Sequence, residues 1–293
     1  MIRSLMRQIG MAVVAAISVS AGWSAEAAER PSVNDKSHPW SGKKVVYLGD
    51  SITAPSSVMK YWKFLQDMYG IEPCVYAFSG CQWSDIYPLA QKMRTEQDES
   101  LGAILILLGT NDYNASTPIG EWFRVEKEEV NRNGRRISLP RRYFVKDTAT
   151  FRGRINTVMG YLKHNFPDQQ IVIMTPPHRG YANFGEKNVQ PPECFPNALG
   201  IYFEEYVRVL REAADIWSVP LIDLYRDCGL LPEDSAYAKY FCSGGERGKD
   251  KLHPCKLGHL RMSSVIAAGL RALPPDFKQV KLAERTAKKR ERP

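Results

Sequence analysis

Two runs of apolar residues in the first half of the chain each end in a short polar motif. Residues 45–48 lead into Gly49-Asp50-Ser51, and residues 104–108 lead into Gly109-Thr110-Asn111-Asp112. Continuous apolar runs of this kind are typical of parallel strands that are buried on both faces of a sheet. The carboxyl ends of such strands lie at one edge of the sheet, where open α/β sheets bind ligands. The pattern therefore predicts that Ser51 and Asn111 converge at that edge.

Strand-like and helix-like segments alternate along the rest of the chain. The predicted strands are residues 43–48, 71–78, 101–108, 170–175 and 219–223. The predicted helices are residues 58–69, 83–97, 147–166, 199–217 and 256–273, with Asp147 as the N-cap of the third. Alternation of this type predicts a three-layer α/β/α sandwich of flavodoxin-like kind, with a central parallel sheet of about five strands. We expect a single domain over residues 43–277.

Two segments interrupt this alternation, and we expect both to be substrate loops. Residues 113–146 contain a hairpin signal with an Asn133-Gly134 turn. This inserted hairpin is basic, since residues 121–146 hold eight basic and four acidic side chains. Residues 176–198 are rich in Pro, Gly and Asn and follow a predicted strand at the same sheet edge. Long irregular loops in compact domains are usually functional.

The two ends of the chain differ in composition from the predicted domain. Residues 1–27 contain two early arginines, a short apolar stretch and a final Ala-Glu-Ala, which is typical of a secretory signal. We expect cleavage there, no transmembrane segment afterwards, and a periplasmic or secreted bacterial protein. Residues 28–42 are predicted to be a linker. Residues 278–293 form a basic tail with seven basic and two acidic side chains.

Charge and cysteine content restrict the function classes. The formal net charge is +8, but the basic tail carries +5 of it, so the predicted domain gives little support for nucleic-acid binding. An exported protein can oxidise its six cysteines, and fifteen full pairings are possible. A bridge involving Cys228, Cys242 or Cys255 would steady the loop near His253, whereas free buried cysteines are the alternative. No cysteine pair has zinc-ligand spacing, and we expect neither a metal nor an organic cofactor.

A possible catalytic set is distributed over the predicted sheet edge and a late loop. Ser51 is a candidate nucleophile, and a serine hydroxyl needs a positioned base to take its proton. His253 is a candidate base because Asp250 lies three residues before it and can orient its ring. Gly80 and Asn111 are candidate oxyanion donors. Each residue alone is also explained as part of a turn or a helix cap.

These motifs together resemble those of the SGNH hydrolases, also called GDSL esterases or lipases. The resemblance rests on Gly49-Asp50-Ser51, Gly80, Gly109-Thr110-Asn111-Asp112 and Asp250-x-x-His253-Pro254, in that order, and covers residues 43–272. It implies that Ser51, His253 and Asp250 form the catalytic triad. It also implies that the Ser51 amide, Gly80 and Asn111 form the oxyanion hole, with Asp112 structural. The chain departs from the family at Phe78-Ser79, where an Asn two residues before the glycine is common.

The resemblance implies a serine esterase that acts through an acyl-enzyme, with an acetyl or short-acyl ester of a carbohydrate as the expected substrate. Arylesterase, lipase, thioesterase and O-acetyltransferase activities are alternatives on the same site, and a catalytically inactive carbohydrate-binding protein is an alternative of another class. The basic hairpin suggests an acidic sugar. The sequence does not predict an oligomeric state. Candidate substrate contacts are Asp50, Trp83, Trp122, His178, Arg179 and Tyr181.

Overall fold

The computed structural model describes residues 35–186, 188–242, 250–275 and 277. The predicted signal at residues 1–27 and the basic tail at 278–293 lie outside these residues. The described strands, numbered in chain order, are β1 (Lys44–Gly49), β2 (Glu72–Ala77), β3 (Leu101–Leu107), β4 (Phe123–Arg132), β5 (Arg135–Phe144), β6 (Gln170–Met174), β7 (Ala182–Asn183), β8 (Val189–Gln190) and β9 (Leu221–Ile222). The described α-helices are α1 (Tyr61–Tyr69), α2 (Ile86–Glu96), α3 (Thr110–Asn114), α4 (Phe151–Asn165), α5 (Phe203–Trp217), α6 (Leu224–Asp227) and α7 (Lys256–Arg271).

The predicted parallel sheet is confirmed. Five strands pair in the order β2-β1-β3-β6-β9, and every pairing is parallel. Counted within the sheet alone, this is the 2-1-3-4-5 order of flavodoxin-like folds, whose strand order reverses between the first and third strands. β1 and β3 lie next to each other at this reversal. The loops that follow them carry the two polar motifs.

Alternating side chains of the central strands create two hydrophobic cores, one on each face of the sheet. Val46, Ile104 and Ile171 belong to the core that packs with α2, α4 and α5. Their neighbours Val45, Leu105 and Val172 belong to the core that packs with α1, α6 and α7. Side chains of a strand point to opposite faces in turn, so a strand that is apolar at every position needs cover on both sides. This requirement produces the three layers.

The start of α4 differs from the prediction. Thr150, not Asp147, is the N-cap, because the Thr150 Oγ1 accepts a hydrogen bond from the Gly153 amide. Asp147 instead accepts a hydrogen bond from the amide of Ala149 in the turn before the helix. Both side chains are good capping types, so the sequence alone does not decide between two candidates three residues apart.

The basic insertion forms a long two-stranded ribbon. β4 and β5 pair antiparallel over ten residue pairs, and the turn residues Asn133 and Gly134 have φ values of 54° and 78°. At its base, Trp122 donates a hydrogen bond to Glu212 at 2.8 Å and Phe144 stacks on Trp217 at 4.4 Å. These contacts attach the ribbon to α5 rather than to the sheet edge that carries the polar motifs.

Residues 35–42, within the range predicted to be a linker, pack against the domain. Trp40 is fully buried, and its indole N–H donates to the carbonyl oxygen of Leu270 at 2.7 Å. Asp35 forms an ion pair with Arg271 at 2.7 Å. The segment thus joins the end of α7 to the rest of the domain. No helix in the described part of the chain is long and apolar enough to cross a membrane.

Candidate active site

Ser51, His253 and Asp250 form a continuous chain of hydrogen bonds. The Ser51 Oγ lies 2.8 Å from the His253 Nε2, and the His253 Nδ1 lies 2.9 Å from the Asp250 Oδ2. Ser51 follows β1, whereas Asp250 and His253 precede α7. In the sequence, 202 positions separate the serine from the histidine. This is the arrangement in which a histidine takes a proton from a serine while a carboxylate holds its other nitrogen.

Asp250 is fixed by its own local backbone. Its Oδ1 accepts hydrogen bonds from the amides of Leu252 at 3.1 Å and His253 at 2.9 Å. Burial raises the pKa of Asp250, but the hydrogen bonds and charge interaction with His253 outweigh this effect and the pKa is lowered overall. The carboxylate therefore stays ionised at neutral pH and is available to stabilise a protonated His253.

The predicted oxyanion donors lie beside the serine. Gly80 and Asn111 line the same cavity as Ser51. Gly80 has a φ of +85°, and a Cβ there would meet no protein atom within 4 Å. The backbone conformation, rather than crowding by the protein, is the requirement for glycine that the structure shows. The Asn111 Nδ2 donates to the carbonyl oxygen of Cys81 at 3.1 Å and contacts the Asp50 Oδ2 at 3.4 Å.

Asp50 contacts Asn111 but does not itself line the cavity. It is 1% exposed, and its Oδ1 accepts a hydrogen bond from the Ile52 amide at 2.9 Å. Burial raises its pKa to about 6. Its other oxygen faces the Asn111 amide, so Asp50 helps to orient a candidate oxyanion donor. The expectation that Asp50 contacts substrate directly is wrong because the side chain is enclosed by protein.

Asp112 is also enclosed, in agreement with a structural role. It is fully buried and forms an ion pair with Arg154 at 2.8 Å, while its other oxygen accepts a hydrogen bond from the Trp83 amide at 3.2 Å. These contacts join the motif after β3 to the segment that follows Gly80. They hold in place the two segments that carry Gly80 and Asn111.

The cavity in front of Ser51 has a volume of about 490 Å³, and its lining combines polar side chains with the apolar side chains of Val58, Leu252 and Pro254. Besides the triad and the oxyanion donors, its walls contain the hydroxyls of Ser56, Ser57 and Ser79, the ammonium of Lys60 and the amides of Asn188 and Gln190. Phe184 adds an aromatic ring that is 44% exposed and lies 5.3 Å from the His253 ring. A volume of this size suits a small ligand.

Among the described residues, none of the other predicted substrate contacts lines this cavity. Trp83 is fully buried, and Trp122 is buried at the base of the ribbon with its indole bonded to Glu212. His178 hydrogen-bonds Glu193 and its ring lies 3.6 Å from that of Tyr225. The carbonyl oxygen of Tyr181 accepts the Lys251 amide at 2.9 Å.

Arg179 has a positioning role rather than a substrate contact. It is 1% exposed and donates to the carbonyl oxygen and the Oγ1 of Thr110, at 3.1 and 3.0 Å. A third hydrogen bond reaches the Gln190 Oε1 at 3.1 Å, and the guanidinium lies 4.9 Å from the centre of the Tyr113 ring. Burial lowers its pKa to about 10. Arg179 thereby ties the loop at 176–198 to the residue that precedes Asn111.

The two insertions predicted to be substrate loops differ in their relation to this cavity. The loop at 176–198 does reach the cavity, through Phe184, Asn188 and Gln190, whereas the basic ribbon does not. Sequence reasoning missed Lys60 and the Ser56-Ser57 wall. The paired serines directly after the Ser51 motif were an available signal, but a lysine at the start of an amphipathic helix gives none.

All six cysteines lie among the described residues and have free thiols. Cys242 and Cys255 flank the segment that carries Asp250 and His253, and their thiols contact the carbonyl oxygens of Pro254 and Lys239. The alternative of free cysteines thus describes this structure. In the residues described, no cluster of three or more His, Cys, Asp or Glu side chains is arranged to hold a metal ion.

Comparisons with known proteins show the fold. No protein-family model matches the chain, and no curated protein matches it. A solved structure of a protein from Lactobacillus plantarum superimposes with a TM-score of 0.58 at 23% identity, over 78% of this chain and 96% of that one. A possible lipase from Chitinophaga pinensis gives a TM-score of 0.58 at 17% identity, over 78% and 97% of the two chains.

The raised pKa of Asp50 predicts a pH-dependent gain in stability for Asp50→Asn. Its pKa is raised from 3.8 to about 6, so ionisation costs stability as the pH rises through this window. Asparagine removes that cost and keeps an acceptor for the Ile52 amide, but its amide nitrogen cannot accept the Asn111 amide, and this loss is the same at every pH. Relative to wild type, we expect the free energy of unfolding of Asp50→Asn to be up to about 3 kcal/mol higher at pH 8 than at pH 3.5, measured by urea unfolding.

The matched control is Asp98→Asn, which should show the opposite sign. Hydrogen bonds from Ser100 and Lys44 lower the Asp98 pKa to about 2, so its ionised form favours the folded state at pH 8. An Asp50→Asn variant whose stability relative to wild type is the same at both pH values would show that Asp50 does not titrate in this window.

Proposed function

We propose that this chain is a carboxylic ester hydrolase of the SGNH type. The observation that supports the proposal is the hydrogen-bonded chain from Asp250 through His253 to Ser51, which opens on a cavity beside Gly80 and Asn111. All the groups required for acyl transfer through a serine are present at one sheet edge. The motif resemblance and the shared fold are independent observations that agree with this geometry.

The first half of the reaction is acylation. The Ser51 Oγ forms a bond to the ester carbonyl carbon, and its proton passes to the His253 Nε2, 2.8 Å away. The carbonyl electron pair moves to oxygen. When the intermediate collapses, the bond to the alcohol oxygen breaks and the alcohol leaves with the proton from His253. Water then attacks the acyl-enzyme with His253 as base, and Ser51 is released with the free acid.

Three donors are available for the charge on the carbonyl oxygen: the backbone amides of Ser51 and Gly80 and the side-chain amide of Asn111. Asn111 already donates to Cys81 at 3.1 Å, and its second contact, to Asp50, is long at 3.4 Å. A long contact is weak and is readily exchanged for a strong bond to an anionic oxygen. Asn111 therefore changes partner as the charge develops, without moving its other bond.

We propose an acetyl or other short-acyl ester of a carbohydrate as the substrate. Serine hydroxyls together with the amide nitrogen of Asn188 give the cavity donors and acceptors of the kind that sugar hydroxyls need. The exposed ring of Phe184 next to His253 provides an apolar face for a sugar ring. The signal-like sequence at residues 1–27 supports action on such substrates outside the cytoplasm.

Rates of ester hydrolysis by the wild-type chain, Ser51→Ala and Asn111→Ala test the proposed chemistry. We expect the wild-type chain to release p-nitrophenol from p-nitrophenyl acetate faster than from the octanoate, and Ser51→Ala to have no activity above background. Removal of one oxyanion donor should lower kcat about 10²–10³-fold. Circular dichroism confirms that each variant is folded. Near-normal kcat in folded Asn111→Ala would remove Asn111 from the oxyanion hole, and turnover by Ser51→Ala would exclude Ser51 as nucleophile.

Phe184→Ala tests the carbohydrate substrate. Loss of the ring should raise KM for an acetylated methyl glucoside about tenfold, since a buried aromatic contact contributes about 1–3 kcal/mol, and should leave KM for p-nitrophenyl acetate within about twofold. Phe195→Ala is the matched control, because Phe195 is in the same loop and 56% exposed but does not line the cavity. Equal effects of the two substitutions on the sugar ester would contradict a sugar platform at Phe184.

A further inference from the structure

Lys60 is a buried cation at the wall of the cavity. It is the N-cap residue of α1 and is 5% exposed. Its Nζ donates a hydrogen bond to the carbonyl oxygen of Ser51 at 2.9 Å, and the side chain lines the cavity with Ser51 and His253. An ammonium has three protons to donate, and this neutral carbonyl accepts one of them.

No carboxylate in the described residues lies within ion-pair distance of Lys60. The two acidic groups that are near enough to influence it, Asp50 and Asp250, have other partners. Both Asp250 oxygens are bonded to the His253 segment, and the Asp50 oxygens face the Ile52 amide and Asn111. Burial lowers the pKa of Lys60, while Cys242, Asp50 and Asp250 act in the opposite direction. The positive charge of the Lys60 ammonium is therefore only partly balanced by nearby acidic groups.

Buried charges in proteins are normally paired, because an isolated buried ion loses its hydration. The side of Lys60 that faces the cavity is where a counter-ion has room. The hydroxyls of Ser56 and Ser57, which line the same cavity, are suitable donors to a second oxygen of such an anion. A carboxylate has two oxygens and accepts both types of donor.

We propose that the cavity takes esters whose substrate bears a carboxylate, and that Lys60 is the specificity-determining residue that pairs with it. This inference rests on the proposed esterase function and narrows its substrate class. It also moves the source of acid recognition from the basic ribbon, which lies outside the cavity, to a single buried side chain. The carboxylate is carried either by the alcohol part of the ester, as in a uronate, or by the acyl part, as in a succinyl group.

Two matched substrate pairs separate these sources. For the alcohol part, kcat/KM is compared between an acetylated methyl glucuronoside and the corresponding acetylated methyl glucoside. For the acyl part, it is compared between the p-nitrophenyl half-ester of succinic acid and p-nitrophenyl butyrate. We expect wild type to prefer the acid about tenfold or more in one pair, because a charge-assisted hydrogen bond to a buried ammonium is strong.

Lys60→Met keeps the length of the side chain and removes the charge. The ratio of kcat/KM for the acidic ester to that for the neutral ester should fall to about 1. This ratio does not depend on any change in overall rate caused by the lost hydrogen bond to Ser51. Lys63→Met is the matched control, because Lys63 is on the same helix but half exposed and pairs with Asp67. It should leave both the rate and the preference unchanged. Equal losses on acidic and neutral esters in Lys60→Met would make Lys60 a positioning residue for Ser51 only.

A binding measurement keeps the inference testable apart from turnover. The Ser51→Ala chain should bind methyl glucuronoside or monomethyl succinate about tenfold more tightly than the neutral partner by NMR titration, and this difference should disappear when Lys60→Met is added. Absence of any acid preference in both pairs and in binding overturns the inference while leaving the esterase proposal intact. Failure of folded wild type to hydrolyse any ester overturns the esterase proposal, and the binding difference then decides the role of Lys60 alone.

Discussion

The parallel register of β1 against β3 determines where the polar groups of the site lie. Gly49 pairs with Leu107, so both strands end at the same level and the chain leaves the sheet at two adjacent points. Asp50 and Asn111 then meet at 3.4 Å although 61 positions separate them. Ser51 emerges beside them at the point where the strand order reverses, which is where open α/β sheets form a crevice. The late loop with Asp250 and His253 needs only to reach this crevice.

Several charged side chains are buried around the crevice, and burial disfavours the charged form of each of them. The pKa of Asp50 and that of Asp112 are both raised to about 6 by burial, and the pKa of Arg179 is lowered to about 10. Each of these groups contacts a segment that carries a candidate catalytic donor. Hydrogen bonds of buried polar groups rigidify their surroundings, so these contacts agree with a site whose geometry is fixed before substrate arrives. Lys60 differs from them because it lines the cavity and no carboxylate of the described residues lies within ion-pair distance of it.

Sequence reasoning predicted the sheet and the Ser51, His253 and Asp250 contacts because apolar runs and short motifs are local signals. It could not predict which side chains near these motifs line the cavity, because this depends on how the surrounding segments pack. Trp83 and Trp122 lie close to the predicted motifs in sequence, yet both are part of the hydrophobic core on one face of the sheet, and the Trp122 indole donates to Glu212. The basic ribbon follows the Asn111 motif in sequence but is attached to α5 by Trp122 and Phe144. Lys60 gave no signal because its importance comes from a bond to a backbone oxygen nine residues away.

The central claim is that Ser51 is a nucleophile activated by His253. The most direct measurement is the intact mass of the full chain after incubation with a fluorophosphonate, which transfers a phosphonyl group to activated serines and releases fluoride. The account predicts one adduct per chain, located by peptide mass spectrometry at Ser51, absent in Ser51→Ala and formed at least 10³-fold more slowly in His253→Ala. Folded wild type that gains no adduct, or an adduct at another serine that persists in Ser51→Ala, would contradict it.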